Sequence, residues 1–278
     1  MKDLYITKAN GERELFSENK LLESLKHTEI KSDQAERIVN QVKSRLYENI
    51  PTAQIHQLVE TGLKAASLLS QVRYQLKQAI MTLGPTGYPF EVYIGELLKK
   101  YGYQTLVSQL VAGSCVTHEV DVLAQKDDRV YFGECKYHNQ PGLRSDLKVV
   151  LYVVARGEDL LAKLKHEHPE TKYASWVFTN TKFSADAVRY AECKGLRSTG
   201  WGYPKNSSLQ MMIEKTHLYP VTVLKSINAR QISRLLEQQI VTITQLLKTS
   251  QVKELLDLNS ENFENLQREC LFIEGGED

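Results

Sequence analysis

The sequence predicts an α/β core with a mixed sheet, preceded by a β-hairpin and helical bundle and followed by a small helical domain. Three observations carry that prediction. Residues 1–84 open with two strand-like runs around Asn10-Gly11 and then turn helical. The stretch "LGPTGYP" (residues 83–89) packs two glycines and two prolines into seven positions, which stops a helix. From 85 to about 205 helical and strand patterns alternate, and beyond 206 helical spacing returns.

Taken in order, "LYITKANGERELF" reads as the hairpin. "NKLLESLKHT", "SDQAERIVNQVKSRLYE" and "TAQIHQLVETGLKAA" repeat apolar residues at helical spacing. Ser32 or Asp33 is the expected cap of the second, and Pro51-Thr52 opens the third. "PFEVYIGELLKKYG" is a helix closed by Gly102, and "YQTLVSQLVAG" is a strand. "EVDVL" and "VYFGECKYH" form a second hairpin around a charged turn. "SDLKVVLYVVARGEDLLAKLKHE" is a long helix, "KYASWVFTNT" a strand, "FSADAVRYAECKG" a helix and "LRSTGWGYP" a last strand. The expected domains are therefore 1–84, 85–205 and 206–278.

A hydrophobic fraction of 42% with 25% charge excludes large-scale disorder. No apolar run approaches a membrane span, and the first residues lack the apolar core of a secretion signal, so a cytoplasmic location is expected. Cys115, Cys135, Cys193 and Cys270 fit no zinc spacing and are expected as reduced thiols. The net charge of +1 hides a local gradient: residues 205–250 carry six basic against two acidic side chains, and residues 251–278 two against eight. The first segment offers a weak contact for a phosphate backbone, or simply a solvated helical face. No Gly-x-x-x-x-Gly-Lys loop is present, which excludes a P-loop ATP-hydrolysing motor.

The chemistry concentrates in "HEVDVLAQKDDRVYFGECKYH", residues 118–138. Strand alternation places Phe132, Glu134, Lys136 and His138 on one face, while Asp121 lies on the preceding strand. A solvated hairpin tolerates such charges. The same groups also suit phosphodiester hydrolysis: hard divalent cations take carboxylate oxygens, and a lysine two residues beyond an acid orients a water or stabilises developing charge. Glu91, early in the preceding helix, supplies a further carboxylate.

The order of helix, acid-bearing strand, Glu-x-Lys strand and later βα unit over residues 87–205 resembles the PD-(D/E)xK nucleases, in particular the Mrr-like restriction endonuclease branch. The resemblance implies a restriction-endonuclease-like core and Mg²⁺- or Mn²⁺-dependent endonucleolytic cleavage of DNA. It implies Asp121 and Glu134 as metal ligands, Lys136 as catalytic lysine and Glu91 as a supporting acid. Val120 stands before Asp121 in place of Pro, a mild departure that many members also show. His138 and Lys148 are supporting or surface residues on this reading.

The first 84 residues resemble the ATP-cone, a regulatory nucleotide-binding module. The carriers are "YITKANGERELFSENKLLESL", "TAQIHQLVE" and "QVRYQLKQAI". A hairpin that brings Lys8 near the start of the helix bearing Lys20 suits a triphosphate. The resemblance implies Ile6, Lys8, Glu14, Lys20 and His56 around ATP or dATP as regulatory ligand, and a homo-oligomer formed through the cone. Lys77 and Met81 depart from the family pattern. "YPVTVLKSINARQISRLLEQQIVTITQLLK" faintly resembles helix-hairpin-helix modules but lacks their glycines, which favours packing; Trp201, Tyr203, Met211 and Met212 read as core. The expected whole is a nucleotide-regulated endonuclease. The alternative is a nucleotide-responsive DNA-binding regulator with an inactive nuclease fold.

Overall fold

A computed structural model describes residues 4–8 and 11–275, so Asn10 of the expected turn lies outside the described residues. The chain divides into two compact units, residues 1–76 with 271–278, and residues 77–270.

In the first unit β1 (Tyr5–Thr7) pairs antiparallel with β2 (Arg13–Leu15) and parallel with β3 (Ile50–Pro51). Gly11 turns the hairpin with φ +83°, a conformation that glycine adopts without a Cβ penalty. Helix α1 (Glu18–Lys26) starts at Ser17, whose hydroxyl accepts from the Lys20 N–H. Helix α2 (Ser32–Lys43) begins after Lys31 with no side-chain cap, so the expected caps Ser32 and Asp33 fall inside its first turn instead. Helix α3 (Thr52–Ala66) follows Pro51 as expected. Leu21, Leu25, Ile38, Val42, Val59 and Leu63 share one apolar core with Ile50, which is what the helical spacing demands.

Helix α4 (Leu68–Met81) contains the division between the units. "LGPTGYP" ends this helix, yet it is no domain boundary: Leu83 is fully buried within the second unit. Helix α5 (Tyr88–Lys100) leads to β4 (Gln104–Ala112), β5 (Thr117–Lys126) and β6 (Arg129–Lys136). These strands run antiparallel. Short β7 (Arg144–Ser145) precedes α6 (Leu147–Glu167), which crosses to β8 (Lys172–Thr179), parallel to β6. Then β9 (Lys182–Phe183) pairs with β7, α7 (Ala185–Lys194) follows, and β10 (Arg197–Thr199) adds parallel to β8. The sheet order is β10-β8-β6-β5-β4, the mixed sheet expected. The last strand is only three residues long because Gly200 turns at once to bridge Tyr203.

The helices beyond residue 206 are α8 (Leu209–Thr216), α9 (Ala229–Glu237), α10 (Ile243–Lys248), α11 (Val252–Leu255) and α12 (Ser260–Gly275). Through residue 270 they fall in the same compact unit as the sheet. The physical reason is buried pairing. The buried Tyr93 phenol donates to Leu218 O at 2.6 Å, and Thr222 Oγ1 donates to Ala79 O at 2.7 Å. Among the described residues no helix is long and apolar enough to cross a membrane. Among the described residues no disulfide joins the four cysteines.

Candidate functional site

The acidic site forms where β5 and β6 part company. Their register runs from Lys126↔Arg129 to Val122↔Gly133. Gly133 is required there, because a Cβ would stand 2.7 Å from Val122 O. Just past that pair the half-buried Asp121 carboxylate accepts the Cys135 N–H through Oδ2 at 2.7 Å. Glu134 points to the α6 side of the sheet, where Arg156 Nη1 donates to its Oε2 at 2.6 Å and to Glu119 O at 2.9 Å. Arg156 is 3% exposed, and its Nη2 has no partner among the described residues. It reaches Glu134 because α6 lies close on β8: a Cβ at Gly157 would stand 2.4 Å from Ser175 Oγ.

Glu91 sits in the first turn of α5, and Ser108 Oγ donates to its Oε2 at 3.3 Å. Ser108 lies between the pairs Val107↔Val122 and Gln109↔Val120, which places it opposite Asp121, and it holds φ +51° in mid-strand. Positive φ in a non-glycine residue costs on the order of 1–3 kcal/mol and concentrates at functional sites.

The electrostatics follow from crowding. Burial and then the Asp121 charge push Glu91 up to about 7. Burial and then the Glu134 charge push Asp121 up to about 6, against the Cys135 N–H and Arg156, which pull it down. Lys136 ends β6 exposed, and no carboxylate pairs with it among the described residues. His138 is held by Asn180, which takes its N–H at 2.9 Å and donates back to its carbonyl at 2.7 Å. Burial and Lys136 lower the His138 imidazole. Lys148 is exposed, its N–H bonded to the α6 cap Asp146.

Thus Glu91, Asp121 and Glu134 share one electrostatic neighbourhood, with Lys136 two residues along the Glu134 strand. Among the described residues no three or more His, Cys, Asp or Glu side chains are grouped so that they could hold a metal ion. Mg²⁺ keeps several waters and takes one or two protein carboxylates, so any cation here would rest on at most a pair of these acids. Sequence reasoning missed Arg156 and Ser108. An arginine within a helical pattern and a serine within a strand carry no signal of the distant acid each one touches.

The second cluster lies in the first unit. Glu14 stands between two lysines: Lys8 Nζ is 2.5 Å from its Oε2, and Lys20 Nζ is bonded to its Oε1. Those two cations hold the Glu14 carboxyl down at about 2, and Glu14 in turn raises Lys8. Ile6 pairs with Glu14 across the hairpin and packs on the core. His56 Nδ1 lies 2.7 Å from Tyr74 Oη, a partner supplied by the "RY" pair of α4. Lys77 and Met81, the departing positions, fall in the second unit.

Comparison with known proteins separates the two ends of the chain. Residues 4–77 match the ATP cone domain model, and residues 219–273 match the model described as AF1548-like, C-terminal. An uncharacterized protein of Archaeoglobus fulgidus is 39% identical over 132 residues, 48% of this chain and 71% of that protein. This chain belongs to the AF1548-like family. The crystal structure of a protein of unknown function, AF1548, matches 69% of the AF1548-like chain and all of its own at 30% identity and a TM-score of 0.57. The ATP cone makes the first unit a nucleotide-binding module by family. Neither relative's name carries an activity for the acidic site.

Proposed function

We propose that this AF1548-like protein is a Mg²⁺- or Mn²⁺-dependent endodeoxyribonuclease with a restriction-endonuclease-like core, regulated by ATP or dATP at its cone. One observation carries the reading: Asp121 and Glu91 are crowded until their carboxyls sit near 6 and 7, beside Glu134 and the unpaired Lys136. Such crowding is costly unless a cation shares it. The strand order and the placement of α5 and α6 on the sheet also support a PD-(D/E)xK core.

On this reading Asp121 and Glu134 hold the cation, whose chemistry is to neutralise phosphate charge and make hydroxide available near neutral pH. Lys136 orients the attacking water and stabilises charge on the phosphorus oxygens. Glu91, raised to about 7, is the group that would exchange a proton with that water on this reading. Arg156 fixes one Glu134 oxygen and leaves the other free.

The test is cleavage of supercoiled plasmid with Mg²⁺ or Mn²⁺, with and without ATP and dATP. Lys136→Ala is expected to lower metal-dependent cutting by roughly 10²–10⁴-fold, as loss of a positioned proton-transfer or charge-stabilising group does. Cutting that survives Lys136→Ala unchanged overturns the assignment. One observation favours a second reading. Arg156 already neutralises Glu134, as it would in a nucleotide-responsive DNA-binding regulator whose nuclease fold is inactive. That reading predicts DNA binding in EDTA with no cutting under any metal.

A further inference from the structure

The second unit has a cationic pocket that the acidic site does not use. It encloses about 150 Å³ beside the sheet, α8 and the chain entering β4. Trp176 forms its floor, almost wholly buried, with Met212 beside it. Three cations rim it: Lys126 from the end of β5, Arg197 from the start of β10 and Lys215 from α8. Register fixes which face this is. Gly133, Trp176 and Arg197 lie side by side across β6, β8 and β10, so alternation puts Glu134 on the opposite face.

Two of the cations are held in place. The Arg197 guanidinium lies 3.4 Å above the Trp176 ring centroid and 5.3 Å from that of Tyr131. Lys126 Nζ donates to Tyr101 O at 2.8 Å and lies 5.4 Å from the Tyr103 ring centroid. Among the described residues none of the three cations pairs with a carboxylate. Three charges therefore face one small cavity with nothing of opposite sign supplied by these residues.

We infer that this pocket binds a phosphate group as its dianion, either free phosphate or the terminal monoester of a nucleic acid strand. The rings are not a stacking platform, because Arg197 covers Trp176 and Lys126 covers Tyr103; the pocket offers charge. A guanidinium fork held flat on a ring matches two phosphate oxygens, and lysines add point charges. The cavity is smaller than the several hundred Å³ of ordinary ligand pockets, which suits a phosphate group and excludes a whole nucleotide. The inference does not depend on the nuclease reading.

The test is calorimetry on the full chain in EDTA, with inorganic phosphate as probe and then a short oligonucleotide with or without a 5′-phosphate. Lys8→Ala in the cone is the control for phosphate binding there. Phosphate is expected to bind the protein and its Lys8→Ala variant alike, and Arg197→Gln and Lys215→Gln are each expected to weaken it about tenfold, the scale of one charge-assisted bond. If the strand end is the source, the 5′-phosphate tightens oligonucleotide binding and both pocket variants abolish that gain. If both oligonucleotides bind alike while the variants still lose phosphate, free phosphate is the source. Lys215→Gln, at an exposed position, keeps the test decisive should Arg197→Gln disturb Trp176. Phosphate affinity unchanged in Lys215→Gln, or no phosphate binding by the parent chain, overturns the inference.

Discussion

The two charged clusters are built from the same residue types and arrive at opposite electrostatics. In the cone one carboxylate, Glu14, is shared by two lysines and held down near 2. In the second unit Glu91 and Asp121 crowd Glu134 and are driven up toward 7 and 6. The cone cluster lies at the surface with two lysines to one carboxylate; the acidic site is half-buried with negative charge in excess. The difference teaches what each is poised to receive. On the proposed nucleotide-regulated reading, Lys8 and Lys20 trade Glu14 for a triphosphate by exchanging partners. The acidic site is relieved by gaining a cation or a proton.

The largest effect that would break this contrast sits at Arg156. It is the counter-charge that already balances part of the acidic site, at 2.6 Å from Glu134 and almost without exposure. Removing one partner of such a pair leaves a poorly solvated charge and costs about 3–5 kcal/mol. Arg156→Gln is therefore expected to lower stability by about 3 kcal/mol or more in urea titration with EDTA, and Mg²⁺ is expected to restore part of it. A loss below about 1 kcal/mol would mean that the site tolerates its own charge.

Arg156 also marks where the sequence stops being legible. The hairpins, α5, α6 and the strand pair bearing Asp121 and Glu134 follow from alternation and helical spacing, because those patterns are local. Lys8 and Lys20 were readable through their places on a hairpin and a capped helix. The partner of Glu134 was not, since 22 residues and a loop separate Arg156 from it. Nor was the positive φ of Ser108, which the sheet imposes and serine does not announce. The packing of the segment after residue 206 was hidden for a related reason: helical periodicity says that an apolar face exists, and only Tyr93 and Thr222 reveal what it packs against.

A pH titration sharpens the contrast next, because the two clusters must respond in opposite senses. Asp121 and Glu91 have folded values raised above the ordinary carboxylate values of roughly 4, so their crowding is harmless below about pH 4. Stability is lost as pH rises through 6 and 7, when both ionise. With the half-exposed Glu91 discounted for solvent screening, the loss is about 2–3 kcal/mol. Glu14 has a depressed value, so its contribution is present above about pH 4 and is lost as pH falls toward 2. Thermal unfolding in EDTA is expected to show one component weakening between pH 4 and 8. The double variant Glu91→Gln/Asp121→Asn is expected to flatten that slope, and a slope unchanged in it would place its origin elsewhere.

The smallest effect separates holding a fold from holding a ligand. Lys8 and Lys20 are exposed, and exposed ion pairs contribute about 0–1 kcal/mol. Lys20→Ala is therefore expected to change the melting behaviour of the cone by less than about 1 kcal/mol. The same lysine facing a triphosphate makes a charge-assisted contact, and its loss is expected to weaken ATP or dATP binding about tenfold in calorimetry. Glu14→Gln sharpens the point in the other direction. It removes the carboxylate that competes for both lysines, so it is expected to leave triphosphate affinity unchanged or tighter if Glu14 only occupies the cations. It weakens binding if Glu14 itself holds the ribose or base. Lys20→Ala with full affinity but a destabilised cone would make this cluster a structural staple, and the exchange of partners on which the contrast rests would be gone.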